Sequence, residues 1–142
     1  MKNDIDIDIA IPSHTRYLRM ISGIGEKVAQ EINCPEGIRE TLSSQLAIVL
    51  TEGLVNAIKH ASNADPDKEI HVRINVSNKN LVVRIYDNGV GFDLDTVPTP
   101  GFTSCAMEDK GRGIFILRSL MDTVKYTRSD GGNVLEMRKK LA

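Results

Sequence analysis

The segment TEGLVNAIKHA, residues 51–61, combines apolar residues with side chains that could perform chemistry. On a helix, which turns about 100° per residue, its polar positions fall in one arc about 100° wide, opposite an apolar side. That arc, called here the polar arc, carries Glu52, Asn56, Lys59 and His60. A carboxylate, an amide, an ammonium and an imidazole together supply the hydrogen-bonding and proton-transfer groups of a binding site. The spacing alone fits the solvated face of an amphipathic helix equally well.

Two features favour a site over a solvated face. Ile48, Val49 and Val55 flank the polar arc, so this side of the helix is not freely wet. Gly53 costs roughly 1 kcal/mol of helix propensity against Ala, which is easier to explain if something approaches the backbone there.

A glycine box, DNGVGF at residues 87–92, ends an apolar strand-like run. Asp-Asn-Gly is also an ordinary turn signal. The second glycine exceeds what a turn needs, and Gly89 and Gly91 would let the backbone approach a flat ligand. Asp87 could accept a hydrogen bond from an exocyclic amine, which would favour adenine over guanine.

A second glycine box, KGRGIF at residues 110–115, places Gly111 and Gly113 just before a predicted helix. Helix N-termini favour phosphate, and Lys110 and Arg112 add positive charge. Alone, this segment is better explained as a flexible loop capped before a helix.

Other sites are not indicated. The chain has no Walker-type P-loop, no serine nucleophile elbow, and no zinc-like spacing of His14, His60 and His71. GIGEKV, residues 23–28, lacks the third glycine and the preceding strand of a Rossmann fingerprint. With 18 basic and 19 acidic residues, the charge gives no argument for nucleic acid or a membrane as partner.

The 142 residues suit one domain, 1–142, with a substantial core. The acidic start, MKNDIDIDIA, is unlike a signal peptide. Cys34 and Cys105 are expected to be reduced thiols. We therefore expect a cytoplasmic protein.

These motifs must be positioned by helices and strands, which we predict in the order β-α-α-β-β-loop-α-β-β. DIDIDIAI, residues 4–11, predicts a half-buried strand, and Ser13 is the expected cap of a helix over 14–32. A second helix over about 36–62 follows Pro35. Hairpins are predicted around Ser-Asn-Lys-Asn and at Asp130–Gly132, with a loop over 93–110 and a helix over 113–122 between them. The predicted fold class is α+β: a two-layer sandwich of one mixed sheet with helices on one face.

In this order, the polar-arc helix, the D-x-G-x-G box, the long loop and the G-x-G box resemble the Bergerat ATP-binding fold of histidine kinase-like ATPases. The likeness covers about residues 36–140. Within that superfamily the chain is most similar to the small anti-sigma factor serine kinases of bacteria. LTEGLVNAIKHA resembles their VSEAVTNAIxHA-type box, and GRGIFILRSLMDTVKY resembles their glycine box and following helix.

The resemblance implies ATP and Mg²⁺ as cofactors and a role for each boxed residue. Asn56 would hold Mg²⁺ against the triphosphate, and Glu52 would be the general base. Asp87 would read the adenine amine, and residues 93–110 would form a lid over ATP. The implied nucleotide contacts are Asn56, Lys59, His60, Asp87, Gly89, Gly91, Lys110, Gly111, Arg112, Gly113 and Ile114.

The implied activity is phosphorylation of a small anti-sigma-factor antagonist by a homodimeric kinase, with a sigma factor as a further partner. Two alternatives stay open: a non-catalytic ATP-binding switch of the same fold, and a detached catalytic domain of a histidine kinase. The chain departs from the family at Gly132-Asn133-Val134, where the relatives tend to have Gly followed by Thr.

Overall fold

The computed structural model describes residues 4–60, 68–88, 109–129 and 132–141, with the backbone alone for His60, Ser129 and residues 109–112. Its helices and strands are β1 (Ile5–Pro12), a 3-10 turn (Thr15–Tyr17), α1 (Leu18–Glu31), α2 (Glu36–His60), β2 (Glu69–Ser77), β3 (Asn80–Asp87), α3 (Asp109–Leu120), β4 (Thr123–Ser129) and β5 (Gly132–Lys140).

The strands form one sheet in the order β1-β2-β3-β5-β4. Every neighbouring pair is antiparallel, which corrects the predicted mixed sheet. β3 and β4 do run in the same direction, since both are antiparallel to β5, but β5 lies between them. A crossover through α3 could have set β4 beside β3 as a parallel pair. The β4–β5 hairpin instead places β5 between them.

The helices cover one face of this sheet, so the predicted two-layer α+β architecture is confirmed. In β1 the isoleucines are buried or half-buried and alternate with exposed residues, as the sequence pattern predicted. The core between the layers includes Ile21 and Val28 of α1, Leu46, Leu50 and Leu54 of α2, Ile70, Val72 and Ile74 of β2, Leu81, Val83 and Ile85 of β3, Ile114 and Leu117 of α3, and Leu135 and Met137 of β5.

The opposite, open face of the sheet carries ion pairs. Arg73 contacts Asp6 at 3.0 Å, and Arg84 contacts Glu136 at 2.8 Å. β1 forms one edge of the sheet. Its outward aspartates therefore discourage edge-to-edge pairing, as expected from the sequence.

Two helix starts differ from expectation. The predicted cap at Ser13 is wrong: Nδ1 of His14 accepts from the backbone N–H of Arg16. Ser13 instead donates its own backbone N–H to Lys68 O at 2.9 Å, beside the pairing of β1 with β2. α3 begins at Asp109 rather than near residue 113. An acidic residue type at that position suits a helix start, where the dipole favours negative charge.

The first predicted hairpin is confirmed, with Asn78 and Lys79 as its two-residue turn. Both have positive φ, 50° and 63°, the backbone of the turn that matches the twist of paired strands.

By length and composition the segment Glu36–Lys59 of α2 could cross a membrane. One such helix is a weak indication, because core helices of soluble proteins have the same character. Here α2 packs on α1 and β3.

Candidate functional site

The polar arc lies on α2 as the sequence predicted. Glu52 and Asn56 are half-buried and Lys59 is exposed, whereas Leu50 and Leu54 on the other side are fully buried. Within the described ranges, no hydrogen bond or ion pair engages the side chain of Asn56. A half-buried amide of this kind is available for a ligand.

Gly53 has a different function from the one suggested by the sequence. A Cβ atom there would collide with Cδ1 of Ile85 and would lie 3.5 Å from Cε of Met137. Something does approach the α2 backbone at this glycine, but it is the core side of the sheet rather than a ligand. This contact seats α2 on β3 two residues before Asp87.

Glu52 joins the polar arc to the second glycine box. Its Oε2 would be 3.1 Å from a Cβ atom built on Gly113, so the carboxylate lies against the backbone of α3. The absence of a side chain at Gly113 gives it this space. Two motifs far apart in the sequence therefore meet at one place.

The second glycine box lies inside α3 rather than ahead of it, since that helix begins at Asp109. Gly111 and Gly113 are thus in its first turns, together with Lys110 and Arg112, whose side chains lie outside the described set. Ile114 is only 2% exposed and packs in the core. Any contact of Ile114 with a nucleotide would have to come from its backbone.

Asp87 lies at the end of β3 and is only 4% exposed. Its Oδ1 accepts a hydrogen bond of 2.9 Å from Nδ2 of Asn133, which is itself 3% exposed. Sequence reasoning marked Asn133 as a departure from the family but did not identify it as the partner of Asp87. The antiparallel pairing of β3 with β5, which sets Asp87 opposite Asn133, was the missing information.

Several predicted positions cannot be compared with the structure. Gly89, Gly91, the side chain of His60 and lid residues 93–108 lie outside the described part of the chain. The last two lid residues, 109 and 110, form the start of α3.

A pocket of about 380 Å³ opens at the end of β3. Its lining residues come mostly from the open face of the sheet: Asp8, Glu69, His71, Arg73, Tyr86, Asp87 and Asn88. It contains no residue of α2 or α3 but shares Asp87 with the predicted nucleotide site.

The described residues thus bring a buried carboxylate, a half-buried carboxylate and amide, and the glycine-containing start of a helix to one end of the core. The buried Asp87 carboxylate is an acceptor that suits an exocyclic amine. The side-chain oxygens of Glu52 and Asn56, near the start of α3, suit a phosphate chain with its metal ion.

Known proteins have related sequences and a related fold. Serine-protein kinase RsbW of Listeria innocua is 29% identical over 139 residues, which are 91% of this chain and 83% of that protein. Its Bacillus subtilis counterpart is 27% identical over 145 residues, 94% of this chain and 86% of that protein. These relatives confirm the resemblance to anti-sigma factor kinases.

The crystal structure of the RsbU and RsbW domains of Rv1364c from Mycobacterium tuberculosis superposes with a TM-score of 0.63. The match covers 96% of this chain and 32% of that one at 11% identity, so it supports the fold alone. A sequence model of the histidine kinase-like ATPase domain matches residues 11–139. The chain therefore belongs to the histidine kinase-like ATPase domain family, whose name implies ATP binding.

Proposed function

We propose that this protein is an ATP-dependent serine/threonine kinase that phosphorylates a small anti-sigma-factor antagonist. In this proposal it controls sigma factor availability by exchanging partners in the cytoplasm. The observation that carries the proposal is the contact of the Glu52 carboxylate with Gly113, which brings a candidate base to the candidate phosphate-binding helix. The names of the relatives, serine-protein kinases in both cases, support the same reaction.

The donor set fits a magnesium ion that is shared with ATP. Among the described residues no group of three or more His, Cys, Asp or Glu side chains could hold a metal. Mg²⁺ commonly takes one or two protein oxygens, with phosphate and water completing its shell. The side-chain oxygen of Asn56 would be such a ligand, and the bound ion would neutralise charge on the triphosphate.

The proposed reaction is a phosphoryl transfer to a hydroxyl group. The oxygen of a substrate serine bonds to the γ-phosphorus as the bond from that phosphorus to the bridging oxygen breaks, and ADP leaves. Glu52 accepts the hydroxyl proton. Asn56 follows Glu52 by one helical turn, about 6 Å along the axis. Glu52 can therefore act on the substrate hydroxyl while Asn56 holds the metal ion at the triphosphate.

The remaining nucleotide contacts follow from the same proposal. Asp87 accepts the adenine amine, Lys59 contacts phosphate, and the backbone of Gly111 and Gly113 lines the phosphate side. Gly89 and Gly91 allow the base to approach closely. His60, Lys110, Arg112 and the backbone of Ile114 complete the proposed contact set.

The protein is proposed to act as a homodimer, with β1 and α1 contributing to the contact between subunits. Support comes from the position of β1 and α1 outside the proposed nucleotide site. Sedimentation velocity over a range of concentrations tests this: a single monomeric species at every concentration would contradict it.

The activity is tested with γ-labelled ATP and a purified candidate antagonist from the same genome. We expect label on a serine of the antagonist, identified by mass spectrometry. Glu52→Gln should keep ATP affinity but slow transfer about 10²–10⁴-fold, the usual contribution of general-base assistance. Glu26→Gln, at an exposed position of α1, is the matched control. ATP binding without any transfer by the wild type would instead identify a non-catalytic switch.

A further inference from the structure

Asp87 and Asn133 continue the innermost row of the core. On the two strands Val83 lies opposite Met137 and Ile85 lies opposite Leu135, and all four are buried. The next pair in the same row is Asp87 with Asn133. A polar pair therefore stands where the apolar row would otherwise continue, at the end of the core nearest the polar arc.

The hydrogen bond between Asp87 and Asn133 is important because both side chains are buried. A buried carboxylate needs partners because its ionised form loses hydration. Asn133 supplies one through Nδ2 at 2.9 Å. A donor at a defined place fixes which way the carboxylate plane faces, since hydrogen bonds to charged acceptors are strong and directional.

The backbone at the start of β5 lies very close to the end of β3. Gly132 has φ +137°, a conformation that favours glycine. A Cβ atom there would lie 2.8 Å from Oδ1 of Asn88 and 3.1 Å from the carbonyl oxygen of Asp87. Only glycine lets β5 come this close to the end of β3, and the next residue is Asn133.

We propose that Asn133 is a positioning residue of the adenine site, which holds the Asp87 carboxylate in the orientation that accepts the 6-amino group. The inference rests on the proposed function, because it takes Asp87 to be the residue that reads the base. Asn133 thereby contributes to base selectivity without touching the phosphates.

The experiment compares Mg²⁺-dependent binding of ATP with that of purine riboside triphosphate, which lacks only the 6-amino group. We expect the wild type to prefer ATP. Asn133→Leu should weaken ATP binding about tenfold or more, the scale of a hydrogen bond to a charged group, and leave the affinity for purine riboside triphosphate unchanged.

A matched control removes a similar pair on the open face. Asn75 lies opposite Asp6 there, and Asn75→Leu should alter neither affinity. A second comparison uses Asn133→Thr and Asn133→Val, which have nearly the same shape but differ in a hydroxyl donor. The threonine variant should keep a preference for ATP that the valine variant loses.

The outcomes separate this inference from the proposed function. A wild type that binds both triphosphates equally would refute base reading by Asp87 itself. A wild type that prefers ATP, combined with Asn133→Leu losing both affinities equally or neither, would overturn the positioning role. If the leucine variant does not fold, equal selectivity in the threonine and valine variants would overturn it instead.

Discussion

The carboxylate of Glu52 on α2 lies against the backbone of Gly113 on α3, with Oε2 3.1 Å from the place of a Cβ atom. This is closer than ordinary van der Waals contact, so the space left by the glycine is needed for the carboxylate to stay where it is. The relationship links the candidate base to the candidate phosphate-binding helix and leads to the first prediction.

Gly113→Ala should slow phosphoryl transfer while folding is retained. The added methyl group displaces the Glu52 carboxylate by a few tenths of an ångström. Because misplacement of a catalytic group by about 1 Å can cost on the order of 10²-fold, we expect a smaller loss of about tenfold or less. ATP affinity should change little. Single-turnover phosphorylation beside calorimetric ATP titration is the measurement.

The control for this substitution is Gly37→Ala in α2, where a Cβ atom would meet nothing within 4 Å. It makes the same chemical change about four helical turns before Glu52 and should leave transfer unaltered. If Gly113→Ala also leaves transfer unchanged, the contact between Glu52 and Gly113 has no role in catalysis.

Gly53→Ala should destabilise the fold. A Cβ atom at Gly53 meets Ile85, which is fully buried and cannot move freely. Overpacking of this kind typically costs about 1–3 kcal/mol. Gly23→Ala in α1 is the matched comparison, because a Cβ atom there meets nothing within 4 Å. It should stabilise the protein by roughly 0.5–1 kcal/mol, and urea unfolding of the two variants measures the difference.

Asn56→Ala should abolish the Mg²⁺-dependent part of ATP affinity and transfer together, because the proposed metal ligand is lost. Lys59→Ala should weaken ATP binding with a smaller effect on transfer, since it removes only charge near phosphate. Titrations with Mg²⁺ and with EDTA give the metal-dependent part. Gln30→Ala, an exposed amide on α1, is the control. Identical ATP affinities for wild type and Asn56→Ala with Mg²⁺ would contradict the ligand assignment.

The lowered pKa of Glu136 predicts a pH-dependent contribution to the stability of the fold. Burial raises its pKa, but hydrogen bonds from Arg138 and Arg84 outweigh burial and hold the pKa below the usual 4.5. A carboxyl whose pKa is lowered by folding stabilises the protein above its unfolded pKa. That contribution is lost as the pH falls through the lower, folded value.

The free-energy difference between wild type and Glu136→Gln should therefore be constant above about pH 4.5 and shrink in more acidic solution. Its size should not exceed about 1 kcal/mol, because Arg84 and Glu136 stay partly exposed and solvent screens them. Urea unfolding at several pH values measures it, with Glu26→Gln as the control. A difference that grows on acidification would have the wrong sign.

Local sequence patterns determined much of this protein. Alternating isoleucines specified β1, the two-residue turn at Asn78 and Lys79 specified a hairpin, and the angular spacing of residues 51–61 separated the buried from the polar side of α2. These features depend on residues close together in the chain, where helix and strand periods decide which side chains share a face. The ordered boxes were sufficient to indicate the family.

Only the tertiary structure decided which distant residues meet. The placement of β5 between β3 and β4 made the sheet antiparallel and set Asn133 against Asp87. The packing of α2 on β3 gave Gly53 its contact with Ile85, and the packing of α2 with α3 brought Glu52 to Gly113. Such contacts depend on strand order, register and the fit of one layer on another. No local period records these relations, because each joins segments that the chain brings together only when its core forms.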